Sequence, residues 1–255
     1  MTMGPVGVEE DPPVVTMNVE DELAVAVVDA IRGGDVDELR SLLEECPWLA
    51  TAWIDDSEPT GTSRSLLHIL ADWPGHRPRG PETVAVLVEA GAVVDARFRG
   101  AHIETPLHWA ASCDDVAVLD ALLDAGADIE APGAVLGGGS PLADACGFKQ
   151  WAAAHRLVER GARTSLFDAA TLGLTDRVRS WCESEPPPTP DDVTAAFWGA
   201  CHGGRRACAE YLLERGADLN WIPPWERATP LDAAERDGAV DLVARLFGLG
   251  ARRAG

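Results

Sequence analysis

Few residues in this chain have both the type and the spacing that chemistry asks for. Asp144 and Asp168 stand at equivalent places in two successive helical segments. Paired carboxylates of this kind can serve general acid–base catalysis. Neither has a suitable nucleophile, metal-ligand set or phosphate-binding loop near it in sequence, so hydrogen bonding to adjacent loops is the expectation for both. His202-Gly203-Gly204-Arg205-Arg206 places Gly and Arg at a helix start, where an anion can be held. It lacks a P-loop pattern, and the Gly pair already accounts for a turn between two helices. Gly137-Gly138-Gly139 has no GxGxxG spacing. The six cysteines show neither CxxC nor the Cys/His spacing of a zinc site and read as free, packed thiols. No metal and no cofactor are expected.

The elements that must carry these residues repeat. Gly-Ala pairs recur at Gly91, Gly126, Gly161, Gly216 and Gly250, with gaps of 35, 35, 55 and 34 residues. A period in the thirties is the mark of stacked supersecondary units. Each unit reads as a short helix with Leu and Ala on one side, a turn, and a longer helix with an i, i+3, i+4, i+7 stripe. In the third unit that stripe is Val116, Leu119, Leu122 and Leu123, and Gly126 ends it as a left-handed cap. Seven units are expected, at about 21–56, 63–96, 105–131, 140–162, 164–185, 193–220 and 229–255. They form one domain over 20–255, and the first 19 residues, acidic and rich in Pro, Gly and Val, read as a flexible tail. PGHRPRG (74–80) interrupts the second unit. Almost no connection separates the fourth from the fifth, and PPPTPDD (186–192) reads as a rigid break before the sixth.

The net charge is −21, and it is uneven. Residues 1 to 60 hold fifteen acidic residues against Arg32 and Arg40, a net of −13, and Lys149 is the one lysine of the chain. Such a field repels nucleic acid and anionic membrane and steers a basic protein toward it. Solubility alone is the plainer reading of the same charge. No stretch has the apolar length of a membrane span, and no secretory pattern opens the chain, so the cytoplasm is the expected location.

Thr105-Pro106-Leu107-His108 with Gly126-Ala127-Asp128-Ile129 resembles the ankyrin repeat family. Thr229-Pro230-Leu231 and Gly216-Ala217-Asp218-Leu219-Asn220 carry the resemblance again, and it extends over about 20 to 253. Usage of Arg over Lys and abundant Ala are similar to the compact ankyrin proteins of high-GC bacteria, such as the actinobacterial ones. The resemblance implies an all-α solenoid of helix pairs with loop or β-hairpin fingers. It also implies a hydrogen bond between Thr105 and His108. Ala143 and Trp198 replace that histidine, so their units are expected to be held differently.

The resemblance further implies a concave groove made by first helices and fingers. In register, the groove row is Asp72-Trp73, Ser112-Cys113, Gly147-Phe148, Thr171-Leu172, His202-Gly203 and Arg236-Asp237. Trp73, Phe148, Leu172 and His202 are the partner-binding candidates from it, although Trp73 and Phe148 could equally pack on neighbouring turns. From the fingers come Arg97, Phe98 and Arg99, and Trp221, Trp225 and Arg227 of the WIPPWER loop, because interfaces favour Trp and Arg. Trp221 covering the last core, with only Trp225 outside, is the alternative reading of this loop. Trp109 reads as packing. The expected function is a non-enzymatic, monomeric scaffold that binds a protein partner. An enzyme using the groove through Asp144, Asp168 and His202 is the alternative, as is an acidic inhibitor or immunity-like protein for a basic partner.

Overall fold

Helix caps decide where each element begins. In the computed structural model, which describes residues 15–56, 61–135 and 137–255, fourteen α-helices fall into seven antiparallel pairs. They are α1 (Glu22–Gly33) with α2 (Val36–Glu45), α3 (Leu66–Ala71) with α4 (Gly80–Glu89), and α5 (Pro106–Ser112) with α6 (Val116–Asp124). Next come α7 (Pro141–Gly147) with α8 (Trp151–Glu159) and α9 (Leu166–Leu172) with α10 (Thr175–Cys182). The last pairs are α11 (Pro190–His202) with α12 (Arg206–Leu213) and α13 (Pro230–Asp237) with α14 (Val240–Gly248). First helices pack on first helices along the stack from α1 to α13, and second helices form the outer layer. Among the described residues no helix is long and apolar enough to cross a membrane.

The N-terminus of α5 shows how adjacent pairs are tied. The Thr105 backbone N–H donates to His108 Nδ1 at 3.1 Å, and Thr105 Oγ1 lies 2.9 Å from the same nitrogen. Nδ1 therefore keeps its lone pair, and the proton sits on Nε2, which faces the Gly139 carbonyl at 3.3 Å. One buried ring thus caps its own helix and holds the strand of chain entering the next pair. His68 repeats the arrangement with Ser65 at 2.8 Å and the Glu104 carbonyl at 3.1 Å. In α9, α11 and α13 a carboxylate closes the box: Asp168 with Ser165, Asp192 with Thr189, and Asp232 with Thr229.

Trp198 solves the problem its missing histidine creates. Its indole Nε1 donates to the Ala228 carbonyl at 3.0 Å, one residue before the Thr229 cap of α13. It takes over the long-range half of the histidine's work, while Thr189 and Asp192 cap the helix nine and six residues earlier. Trp198→Phe keeps the apolar ring and removes the donor. We expect a loss of about 1–2 kcal/mol in a urea titration, with faster amide exchange at Thr229–Asp232. Unchanged stability and exchange would refute the tie.

Two expectations need correction. Residues 16–18, read as the end of a flexible tail, form β1 (Thr16–Asn18), which pairs in parallel with β2 (Trp53–Asp55) and buries Met17. The tail's residues 1–14 lie outside the described residues. β2 pairs antiparallel with β3 (Ser63–Ser65), so the first two helix pairs are joined by a hairpin. The break at 186–192 is shorter than expected, because Thr189 caps α11 and Pro190 starts it, where a missing N–H costs nothing. The 74–80 insertion is packed tightly. The His76 N–H donates to Asp115, the N-cap of α6, and a Cβ on Gly34 would lie 2.3 Å from the Pro78 carbonyl oxygen.

Two buried apolar clusters run along the stack. One extends from Met17 to Ala162 and includes Leu172; the other extends from Leu166 to Ala251. Half-buried Leu174 touches both, at the junction between the fourth and fifth pairs where the chain has no finger. Leu107 and Leu122, both fully buried in the first cluster, should each cost about 2–5 kcal/mol when truncated to Ala. Amide exchange should show the loss concentrated in pairs one to four. A loss spread evenly over the chain would contradict the division.

Candidate interaction surface

The ends of the first helices set the groove row, and local chemistry sets those ends. Pro74 disfavours helical backbone at the residue before it, so α3 stops at Ala71 and Trp73 stands free with 79% of its surface exposed. Phe148 is the C-terminal cap residue of α7 and is 45% exposed. Between them lies a concavity of about 410 Å³, walled by Trp73, Trp109, Phe148, Asp72, His102 and Glu104 among others. Ser112 and Cys113 of α5 line it too.

Glu104 is the most constrained group of this wall. It is only 5% exposed, accepts from the Trp109 indole at 3.1 Å, and lies 2.6 Å from His102 Nδ1. Its backbone carbonyl accepts from the Phe98 N–H and faces His68 Nε2. Asp72 is held by Arg64 at 3.0 Å, with Arg32 at 3.8 Å. Burial and the nearby Asp72 and Asp115 carboxylates push the Cys113 thiol up to about 11, so it stays protonated at neutral pH and is no nucleophile there.

The finger residues before α5 turn inward. Phe98 stacks on His102 at 4.8 Å and leans on Trp109 at 5.3 Å, which makes it wall support and not the free anchor expected of it. Arg97 donates to the carbonyls of Ile103 and Pro132, tying two successive fingers. Arg99 lies over the Trp53 ring at 4.0 Å. Trp109 is half-buried packing, as expected, and also a wall of the concavity. Glu104 escaped sequence reasoning altogether. The available signal was Trp109 itself, since a packed indole N–H needs an acceptor.

Beyond α7 the row closes. Thr171, Leu172 and Gly203 are buried, so Leu172 belongs to the core and is unavailable to a partner. Lys149 reaches across to Asp237 at 3.0 Å, spanning from the fourth pair to the seventh. His202 beneath this region stacks on Trp198 at 5.3 Å and puts Nε2 3.2 Å from the Cys146 carbonyl. Burial first, then the Lys149 charge, lowers its pKa. The WIPPWER loop divides: Trp221 is half-buried on the second cluster, and Trp225 is 58% exposed and edge-on to Trp198. Arg227 donates to the Gly255 carbonyl oxygen and borders a second, charged concavity of about 440 Å³ with Asp232, Glu235 and Arg236.

The carboxylates considered for acid–base work do not meet at a cleft. Asp168 is spent on the Ser165 cap of its own helix, where an adjacent loop was expected, and burial raises its pKa. Asp144 is fully buried within α7. Neither they nor His202 line either of the two concavities.

Residues 103–134 match the family model of the ankyrin repeat. No curated protein matches the sequence. Among solved structures, the crystal structure of the human ASB11 ankyrin repeat domain is similar to this chain. The two share 21% identity over 89% of this chain and 84% of that one, with a TM-score of 0.48. Residues 103–134 are thus an ankyrin repeat in sequence, and their helix pair is one of seven in the all-α stack.

Proposed function

We propose that this protein is a binding scaffold whose contact surface is the concave stretch over the second to fourth helix pairs. Ankyrin repeats are in general protein–protein interaction modules. The observation that carries the location is the pair of exposed aromatics, Trp73 and Phe148, flanking one concavity on short helices whose ends are fixed by Pro74 and by capping. Aromatic anchors dominate interface energetics, and a surface ordered before binding loses little entropy on association. Trp225 is a second exposed anchor at the far end of the stack. The mechanism is rigid display: buried caps and ties hold the backbone, and the exposed rings bury themselves in the partner.

The test is affinity capture with the purified protein as bait, comparing wild type with Trp73→Ala/Phe148→Ala. Both residues lie outside the buried core, so thermal stability should stay within about 0.5 kcal/mol of wild type. Partner recovery should fall at least tenfold. Equal recovery by the double variant would remove the surface from consideration.

A further inference from the structure

The walls of the groove concavity have a definite chemistry. Three aromatic rings, Trp73, Trp109 and Phe148, and two carboxylates, Asp72 and Glu104, line this space, and among the described residues its lining includes no lysine or arginine. A ring face attracts a cation through its quadrupole, most strongly for Trp. A carboxylate removed from solvent acts on a nearby charge with little screening. Resting on the scaffold reading above, we propose that this concavity receives the guanidinium of an arginine side chain presented by the partner.

Each wall supports a specific part of that recognition. Glu104 is fixed by the Trp109 indole on one side and by its own backbone ties on the other, so its carboxylate needs no reordering to accept N–H donors. Its low exposure of 5% means that the acceptor meets the ligand within the wall, not in bulk water. Trp73 and Phe148 offer faces at the rim, where a planar guanidinium stacks and an ammonium does not. Asp72 contributes less, because Arg64 and Arg32 already hold it. The wider field agrees: a chain of net charge −21 steers a cation inward.

The experiment uses the full chain and three short blocked peptides, Ala-Arg-Ala, Ala-Lys-Ala and Ala-citrulline-Ala. Citrulline keeps the shape of arginine and loses its charge. The readout is the indole N–H resonances of Trp73 and Trp109 during titration. We expect saturable shifts of both with the arginine peptide and at least tenfold weaker binding of the citrulline peptide. The lysine peptide should fall between them. Glu104→Gln, which keeps an acceptor for the Trp109 indole, should weaken arginine binding at least tenfold with the other resonances in place. Trp73→Ala, at an exposed site, should weaken it severalfold without touching the fold. Equal binding of the arginine and citrulline peptides, or full affinity in Glu104→Gln, would overturn the guanidinium assignment. If the arginine peptide fails to bind while Trp73→Ala/Phe148→Ala still abolishes partner capture, the scaffold reading stands and this one falls.

Discussion

Acidification from pH 6.5 to about pH 4.5 is expected to destabilise the stack by about 2 kcal/mol through His68 alone. The ring is fully buried, and burial lowers its pKa from 6.5 to about 3. Only the backbone bond to Glu104 resists that shift, and Arg64, His108 and His102 add to it. The folded state therefore keeps the ring neutral while the unfolded chain protonates it. For a histidine with a depressed folded pKa, stability is complete above the unfolded value. It is lost as pH falls from 6.5 toward about 3, at about 1.4 kcal/mol per pH unit. His108 and His202 share the direction, both lowered chiefly by burial. For His108 the geometry gives an independent reason, since Thr105 N–H donates to Nδ1 and a proton there would displace it.

Carboxylates join only at the acid end of that window. Asp192, held down by Thr189, and Glu235, held down by Arg253, lose their contribution as pH drops through the ordinary carboxylate range. Asp168, raised by burial, acts in the opposite sense. Comparison with His68→Asn cancels both, because that variant retains every carboxylate and removes one titrating ring. It should be less stable at pH 7 and show a flatter decline in urea midpoint between pH 6.5 and 4.5. A slope identical to wild type would mean that His68 is not held neutral by the fold.

Gly203→Ala should cost about 3 kcal/mol and should open the second half of the protein before the first. Its φ of −88° is ordinary, so no backbone strain is involved. The difficulty is contact: a Cβ there would sit 2.1 Å from the Thr171 carbonyl oxygen, which also accepts from Arg205 Nε. Backbone on one side and helix on the other leave neither partner free to yield, and overpacking of this kind costs about 1–3 kcal/mol. Because the contact joins the fifth and sixth pairs, amide protection should fall in pairs five to seven while the Met17–Ala162 cluster keeps its own. Gly33→Ala is the control, since nothing stands within 4 Å of its Cβ position. A Gly203→Ala protein within 0.5 kcal/mol of wild type would show that the close approach is absent.

The glycines of that turn separate what can be read along a chain from what cannot. Gly204, at φ +67°, is the turn residue that the Gly-Gly pair announces for a local reason, and a Cβ there would also meet the Asp237 carboxylate at 2.1 Å. Gly203 is there to admit a carbonyl from another unit, thirty-two residues earlier in the chain. The same division runs through the caps. Thr105 with His108 is a three-residue relation and was legible, as was the cap at Gly126. The indole of Trp198 reaching Ala228 was not, because its partner lies thirty residues away.

The sequence by itself determined the helix pairs, their number and most of their ends, since helix periodicity, capping and glycine turns are interactions over three to seven residues. It also marked Trp73 and Phe148 as groove residues, without deciding whether they face solvent or their neighbours. The tertiary structure decided that they stand exposed, that Leu172 does not, and that Phe98 supports a wall. Those outcomes depend on how the units stack and curve, which is settled by contacts such as Lys149 with Asp237, eighty-eight residues apart. The row of residues that could have done chemistry was visible from the start. Which part of it is open to a partner is a property of the stack.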